Sequence, residues 1–92
     1  MISIYKYQIQ IDDVQVIKIP RDAKILCVQC QREQPCIWAM INTTAPNELR
    51  KIGLTGTGHL CDSLFNEKYI GTFQMQDGSL VFHVFDMGVV SQ

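Results

Sequence analysis

Between Gly53 and Cys61 the chain reads GLTGTGHLC, and no other stretch packs so many chemically able residues together. Glycine lets backbone N–H groups come close to a bound group, because it carries no Cβ and tolerates positive φ. Thr55 and Thr57 add hydroxyls, and His59 adds an imidazole that can donate or accept a hydrogen bond. Arg50 and Lys51 stand just ahead of the stretch. Together Arg50, Thr55, Gly56, Thr57, Gly58 and His59 form a candidate loop for an anion such as the phosphate of a small nucleotide. The loop is not a P-loop, since it lacks the terminal G-K-[ST] and the helix that must follow. The plain alternative is a glycine turn whose histidine bonds a neighbouring carbonyl.

Cysteines offer a second chemistry. Cys27 and Cys30 form a C-x-x-C, and Cys36, His59 and Cys61 bring the soft ligands to a number that could hold zinc. The pair lies inside an expected strand, however, where residues three apart point to opposite faces. No second C-x-x-C follows, and no helix start is placed to lower a thiol pKa for redox work. Buried cysteine acts as a small hydrophobe, and that is the expectation for these thiols. No metal and no cofactor is expected. A small hydrolase using His59 and Cys61 is the enzymatic alternative; with no serine elbow and no base set beside a nucleophile, the expectation is that the chain is not an enzyme.

These residues need positioning elements, and period two dominates the sequence that supplies them. In YKYQIQI, Tyr5, Tyr7, Ile9 and Ile11 share one parity. VQVIKIP follows the Asp12-Asp13 turn, with a bulge expected where its parity shifts, and Pro20 ends it. AKILCVQCQ and CIWAMI read as a hairpin joined by REQP, and CIWAMI, apolar on both faces, reads as a central strand with Trp38 in the core. NTTAPNELRK reads as a surface loop with one helical turn at 47–51. IGLTGTGH starts as a strand and ends in a turn, and LCDSLFNEK reads as a short helix or an irregular segment. YIGTFQM and SLVFHVFD read as strands joined at Asp77-Gly78, with MGVVSQ a tail that frays or pairs. His83 shares a face with Val81 and Phe85 and is expected to be a satisfied core or interface residue; Arg21, Arg32, Arg50 and Lys51 are expected to be solvated.

The expected fold is therefore all-β, or a β-rich α+β fold. It is a compact antiparallel sandwich or small barrel of about seven strands with at most one short helix, in a single domain over residues 1–92. Formal net charge is −1, from 8 basic and 9 acidic residues, which argues against sequence-specific DNA binding through a basic face. No apolar run has the length of a signal peptide or a membrane span, so no membrane association and a cytoplasmic location are expected. In a reducing cytosol the four cysteines are expected to be free of disulfides.

The pieces IYKYQIQI, AKILCVQCQ, QPCIWAMI, GTGH and YIGTFQMQDGSLVFHVF resemble a family of small phage- and prophage-encoded proteins of unknown function. The similarity spans most of the chain, and GTGH with YIGTFQ and LVFHVF are its most specific parts. Members carry serine or valine at positions like Cys27 and Cys30, so the resemblance implies that the C-x-x-C is incidental. It also implies a phage context, in which small cytosolic proteins act on the host. The expected function is a non-enzymatic binding protein that antagonises a host defence or regulatory factor by occluding a host protein. Its alternatives are a sponge for a small signalling nucleotide, a metal-stabilised module, a hydrolase and a phage assembly component. A homo-oligomer is expected from apolar strand edges.

Overall fold

A computed structural model describes residues 1–90 and shows seven strands in two antiparallel sheets. The strands are β1 (Ile2–Gln8), β2 (Val14–Pro20), β3 (Lys24–Gln31), β4 (Gln34–Asn42), β5 (Asn47–Gly56), β6 (Lys68–Met75) and β7 (Leu80–Val89). The first sheet has the order β1-β4-β3 and the second β2-β5-β7-β6. The sheets do not close into a barrel. The helical content among the described residues is two 3₁₀ turns, Asp62–Leu64 and Gln76–Gly78.

Alternation builds the core. Ile37, Ala39 and Ile41 of β4 are buried with Val28 of β3 and with Ile9 just after β1, and Ile52, Leu54, Phe73 and Val84 face this layer from the second sheet. Full burial of each such side chain contributes about 1.5–3 kcal/mol. The opposite parity of β4 lies on the outer face, so Trp38 is half-buried there rather than in the core, and Met40 is exposed.

The hairpins follow the sequence. Arg32 and Glu33 both take positive φ (52° and 64°), the handedness a two-residue hairpin turn needs, although neither is glycine or asparagine. Gln76, Asp77 and Gly78 do the same between β6 and β7. The Glu33 carboxylate accepts from the Gln76 N–H at 3.2 Å, which ties the two turns together across the sheets.

Several expectations need correction. Residues 47–51, expected as a helical turn in a surface loop, are the first half of strand β5, whose second half falls on the strand expected at the start of IGLTGTGH; β5 lies inside the second sheet between β2 and β7. Its inward position 50 is an arginine, so its period-two pattern reads as polar. β2 pairs with β5 without a break, so the bulge expected there is absent; Gln15, Ile17 and Ile19 face inward, and Val14 and Val16 outward. Register shifts fall instead at Ile25/Cys27, Arg50/Ile52 and Tyr69/Gly71. The tail pairs through Val89, and the Val90 N–H donates to the Leu49 carbonyl at 2.9 Å; Ser91 and Gln92 lie outside the described residues.

The sheets come closest where β3 passes β6. A Cβ at Gly71 would stand 2.9 Å from Val28 Cγ1, so glycine is what permits the approach. Gly71→Val should wedge the two strands apart and cost about 2 kcal/mol, the usual range for overpacking, read as a lower urea midpoint at unchanged slope.

Candidate functional site

The outer face of the second sheet carries the site, and three separate sequence segments meet there. Thr55 of β5 lies opposite His83 of β7, and Thr72 of β6 flanks His83 on the other side. The His83 ring is held at both nitrogens: Nε2 lies 2.7 Å from Thr57 Oγ1, and Nδ1 lies 2.9 Å from Thr72 Oγ1. Thr72 Oγ1 in turn bonds the Tyr69 hydroxyl. A hydroxyl can donate or accept, so either neutral tautomer of the ring is satisfied. The resulting chain, Thr57–His83–Thr72–Tyr69, joins GLTGTGH, YIGTF and LVFHVF on one surface. His83 is thus a satisfied histidine, on the outer face rather than in the core.

The glycine loop itself closes as a turn. The Thr57 N–H donates to the Val81 carbonyl at 3.2 Å, and the His59 N–H donates to the Gly56 carbonyl at 3.1 Å. Gly58 takes φ +87°, the left-handed conformation that a turn of this hand requires. The His59 ring lies against Gly56, close enough that a Cβ there would stand 3.3 Å from it. So Thr55, Gly56, Thr57, Gly58 and His59 are together at one end of the sheet.

Arg50 is not with them. It lies about 20 Å back along β5 at the usual rise per residue. It is only 7% exposed, which corrects the expectation of a solvated side chain. Its Nη1 donates to Asp86 Oδ2 at 2.9 Å and its Nη2 to the Ala23 carbonyl at 3.1 Å. Lys51 is half-buried, while Arg21 and Arg32 are exposed.

After the turn, residues 60–66 arch over the sheet. Leu64 is the pin: it is buried, and its Cδ2 lies so close to Gly53 that a Cβ there would come within 2.7 Å. Met87 packs beside it, its Sδ 2.9 Å from the same point. The pinned arch holds its other apolar side chains outward. Leu60 is 95% exposed and Phe65 is 88% exposed. Beneath Phe65 opens a cleft of about 600 Å³ lined by Cys61, Asp62, Leu64, Phe65, Asn66 and Phe85. Phe85 is braced by Tyr69, edge to face, with ring centroids 5.6 Å apart. A smaller depression of about 230 Å³ lies on the other side of Leu64, bordered by Val14, Thr55, His59 and Ser63.

The cysteines do not gather. All four are free thiols, and among the described residues no group of three or more His, Cys, Asp or Glu is arranged to hold a metal. Cys27 pairs with Trp38 on the outer side of the first sheet, while Cys30 packs against the inner core. Burial, then the nearby Glu33 and Cys36, push the Cys30 thiol up from its ordinary pKa, which favours the protonated form. Cys61 is exposed at the arch, and among the described residues His59 makes no hydrogen bond to it.

Sequence reasoning found Thr57 and His59 but missed Leu60, Asp62, Phe65, Tyr69, Thr72 and Phe85 as surface residues. The shared parity of Val81, His83 and Phe85 was the available signal for the β7 part. Among the described residues no helix is long and apolar enough to cross a membrane. No curated protein matches the chain. No solved structure matches it. A family model described as a domain of unknown function, DUF7352, matches residues 1–91, and the chain belongs to that family.

Proposed function

We propose that this chain is a non-enzymatic binding protein that acts by occluding a partner protein, through the arch at 60–66 and the outer face of the second sheet. One observation carries the reading. Leu60 and Phe65 stand almost wholly in water on a segment that Leu64 fixes in place. A pinned backbone that presents large apolar side chains meets a partner at little ordering cost. Large apolar side chains held in water on one short segment are suited to meeting a partner, and aromatic anchors carry much of the energy of such surfaces. The phage context implied by the family resemblance makes the partner a host defence or regulatory factor, met in the host cytoplasm.

The nucleotide-sponge alternative draws less support. Its cation, Arg50, is engaged with Asp86, and two of its backbone donors, at Thr57 and His59, already serve carbonyls. Self-association belongs to the proposal. β1 is an edge strand with Ile2 and Ile4 exposed, and an uncovered edge is a template for another strand.

The test is affinity capture from bacterial lysate, identification of the captured protein, and reconstitution of the complex from purified components. The double variant Leu60→Ser/Phe65→Ser should weaken that complex about a hundredfold, since two anchors are each worth about 1–2 kcal/mol, while its thermal midpoint stays unchanged. A complex of unaltered affinity would sink the reading. So would native mass spectrometry that finds a bound nucleotide released on unfolding and no protein partner.

A further inference from the structure

The cleft beneath Phe65 has a composition that selects its occupant. Two aromatic rings, Phe65 and Phe85, border it, and among the described residues Asp62 is the one charged side chain in its lining. Among the described residues no lysine or arginine lines it. Lys68 precedes Tyr69 on β6, and alternation sends it to the opposite face of the sheet, in register with Asp86. Among the described residues neither the Asp62 carboxylate nor the Asn66 side-chain amide has a hydrogen-bond partner, and Asp62 has no ion pair. The cleft therefore offers acceptors and π faces but no cation. A phosphate or carboxylate ligand would meet only the Asp62 charge, which repels it.

We infer that this cleft receives an arginine side chain presented by the partner protein. The inference rests on the occlusion reading above and names the chemistry of its anchor. A guanidinium is planar, weakly hydrated and permanently charged, so it can lie flat against an aromatic ring while its edge donates two parallel N–H bonds to one carboxylate. Phe65 and Phe85 supply the faces, Asp62 accepts the bidentate pair, and the Asn66 carbonyl oxygen accepts a further N–H. Tyr69 keeps the Phe85 ring in position through its edge-to-face contact. Lysine fits less well, because its compact ammonium is strongly hydrated and cannot stack. The partner surface expected to fit is one that projects arginine from an otherwise apolar patch, which Leu60 and the exposed face of Phe65 would cover.

The experiment is a titration of the full ¹⁵N-labelled chain, followed by amide chemical shifts, with N-acetyl-arginine methylamide as the probe. The neutral isostere N-acetyl-citrulline methylamide and guanosine monophosphate are titrated in parallel. Saturable shifts at residues 61–66 and 85 are expected with the arginine probe, with half-saturation in the range of about 1–50 mM that suits a single side chain. The citrulline probe should bind at least about tenfold more weakly, because it lacks the charge that Asp62 recognises. Asp62→Asn should reduce the arginine response by a similar factor while leaving the rest of the spectrum in place. Equal response to citrulline, a response to arginine that stays linear up to about 50 mM, an unchanged response in Asp62→Asn, or shifts in the cleft with guanosine monophosphate alone would each overturn the inference. The two readings fail separately. If the reconstituted complex depends on Leu60 and Phe65 but is indifferent to Asp62→Asn, the arginine anchor falls and occlusion stands. If the arginine probe titrates the cleft but no complex depends on Leu60 and Phe65, the occlusion reading falls.

Discussion

Replacing Arg50 with methionine lowers the stability of the fold by about 3–5 kcal/mol, the largest effect expected of any single substitution at the polar residues. The reason is the charge it leaves behind. Arg50 and Asp86 are paired at 2.9 Å with side chains only 9% and 12% exposed. Among the described residues Asp86 has one further donor, the Gly88 N–H on Oδ1 at 2.9 Å. Without Arg50, its carboxylate stays in the same half-dry place with its main partner gone, and the Ala23 carbonyl also loses its donor. The pair itself is not a large net source of stability. Among the described residues the buried Arg50 Nε has no partner, and desolvating two charges offsets most of their attraction. The double variant Arg50→Met/Asp86→Leu should therefore recover most of the loss, because no charge is then left unpaired. Urea unfolding followed by circular dichroism reads both. A fall in midpoint of about 2 M or more is expected for the single variant, from a slope of about 1–1.5 kcal/mol/M for a chain of this size. A loss below about 1 kcal/mol would mean that the pair is wetter than its burial implies.

Leu64→Ala should cost about 2–3 kcal/mol and should also weaken partner binding, which ties stability to the site. Leu64 fills the space above Gly53 beside Met87, and truncating it leaves a void that the arch can only partly collapse into. The same change unpins residues 60–66, so Leu60 and Phe65 lose their fixed presentation and the partner must order them on binding. Phe65→Ser is the control. Its side chain touches water rather than core, so its stability change should stay within about 0.5 kcal/mol while binding drops. Melting curves for the two variants, set beside their affinities for the purified partner, separate pinning from contact. Equal stability in both would contradict the role given to Leu64.

Much of this fold was legible wherever a short run of β-forming residues is bounded by a turn signal. β6, β7 and the β3–β4 hairpin follow from such runs, β4 and β7 being apolar on both faces, and from their turns. The first half of β5 was hidden because an arginine occupies an inward position, and no local rule predicts an ion pair with a residue 36 positions away. Sheet order was hidden for a related reason. Hairpins specify only β3–β4 and β6–β7, whereas β1–β4, β2–β5 and β5–β7 are long-range pairings. The site divides the same way. GLTGTGH reads as a turn with a histidine, but only the registers of β5 and β6 against β7 bring Thr57 and Thr72 to the two nitrogens of His83. Phe65 and Leu60 look like ordinary apolar residues of an irregular segment. Their exposure depends on Leu64 alone turning inward, which has no periodic signature in a three-residue 3₁₀ turn.

The measurement closest to the central claim is amide hydrogen exchange on the chain alone and in complex with its purified partner. Slowed exchange is expected at residues 59–66 and along the exposed side of β6 and β7 near Tyr69, His83 and Phe85, with β1 unchanged. Protection confined to β1 or to the first sheet, with the arch exchanging as freely as before, would contradict it.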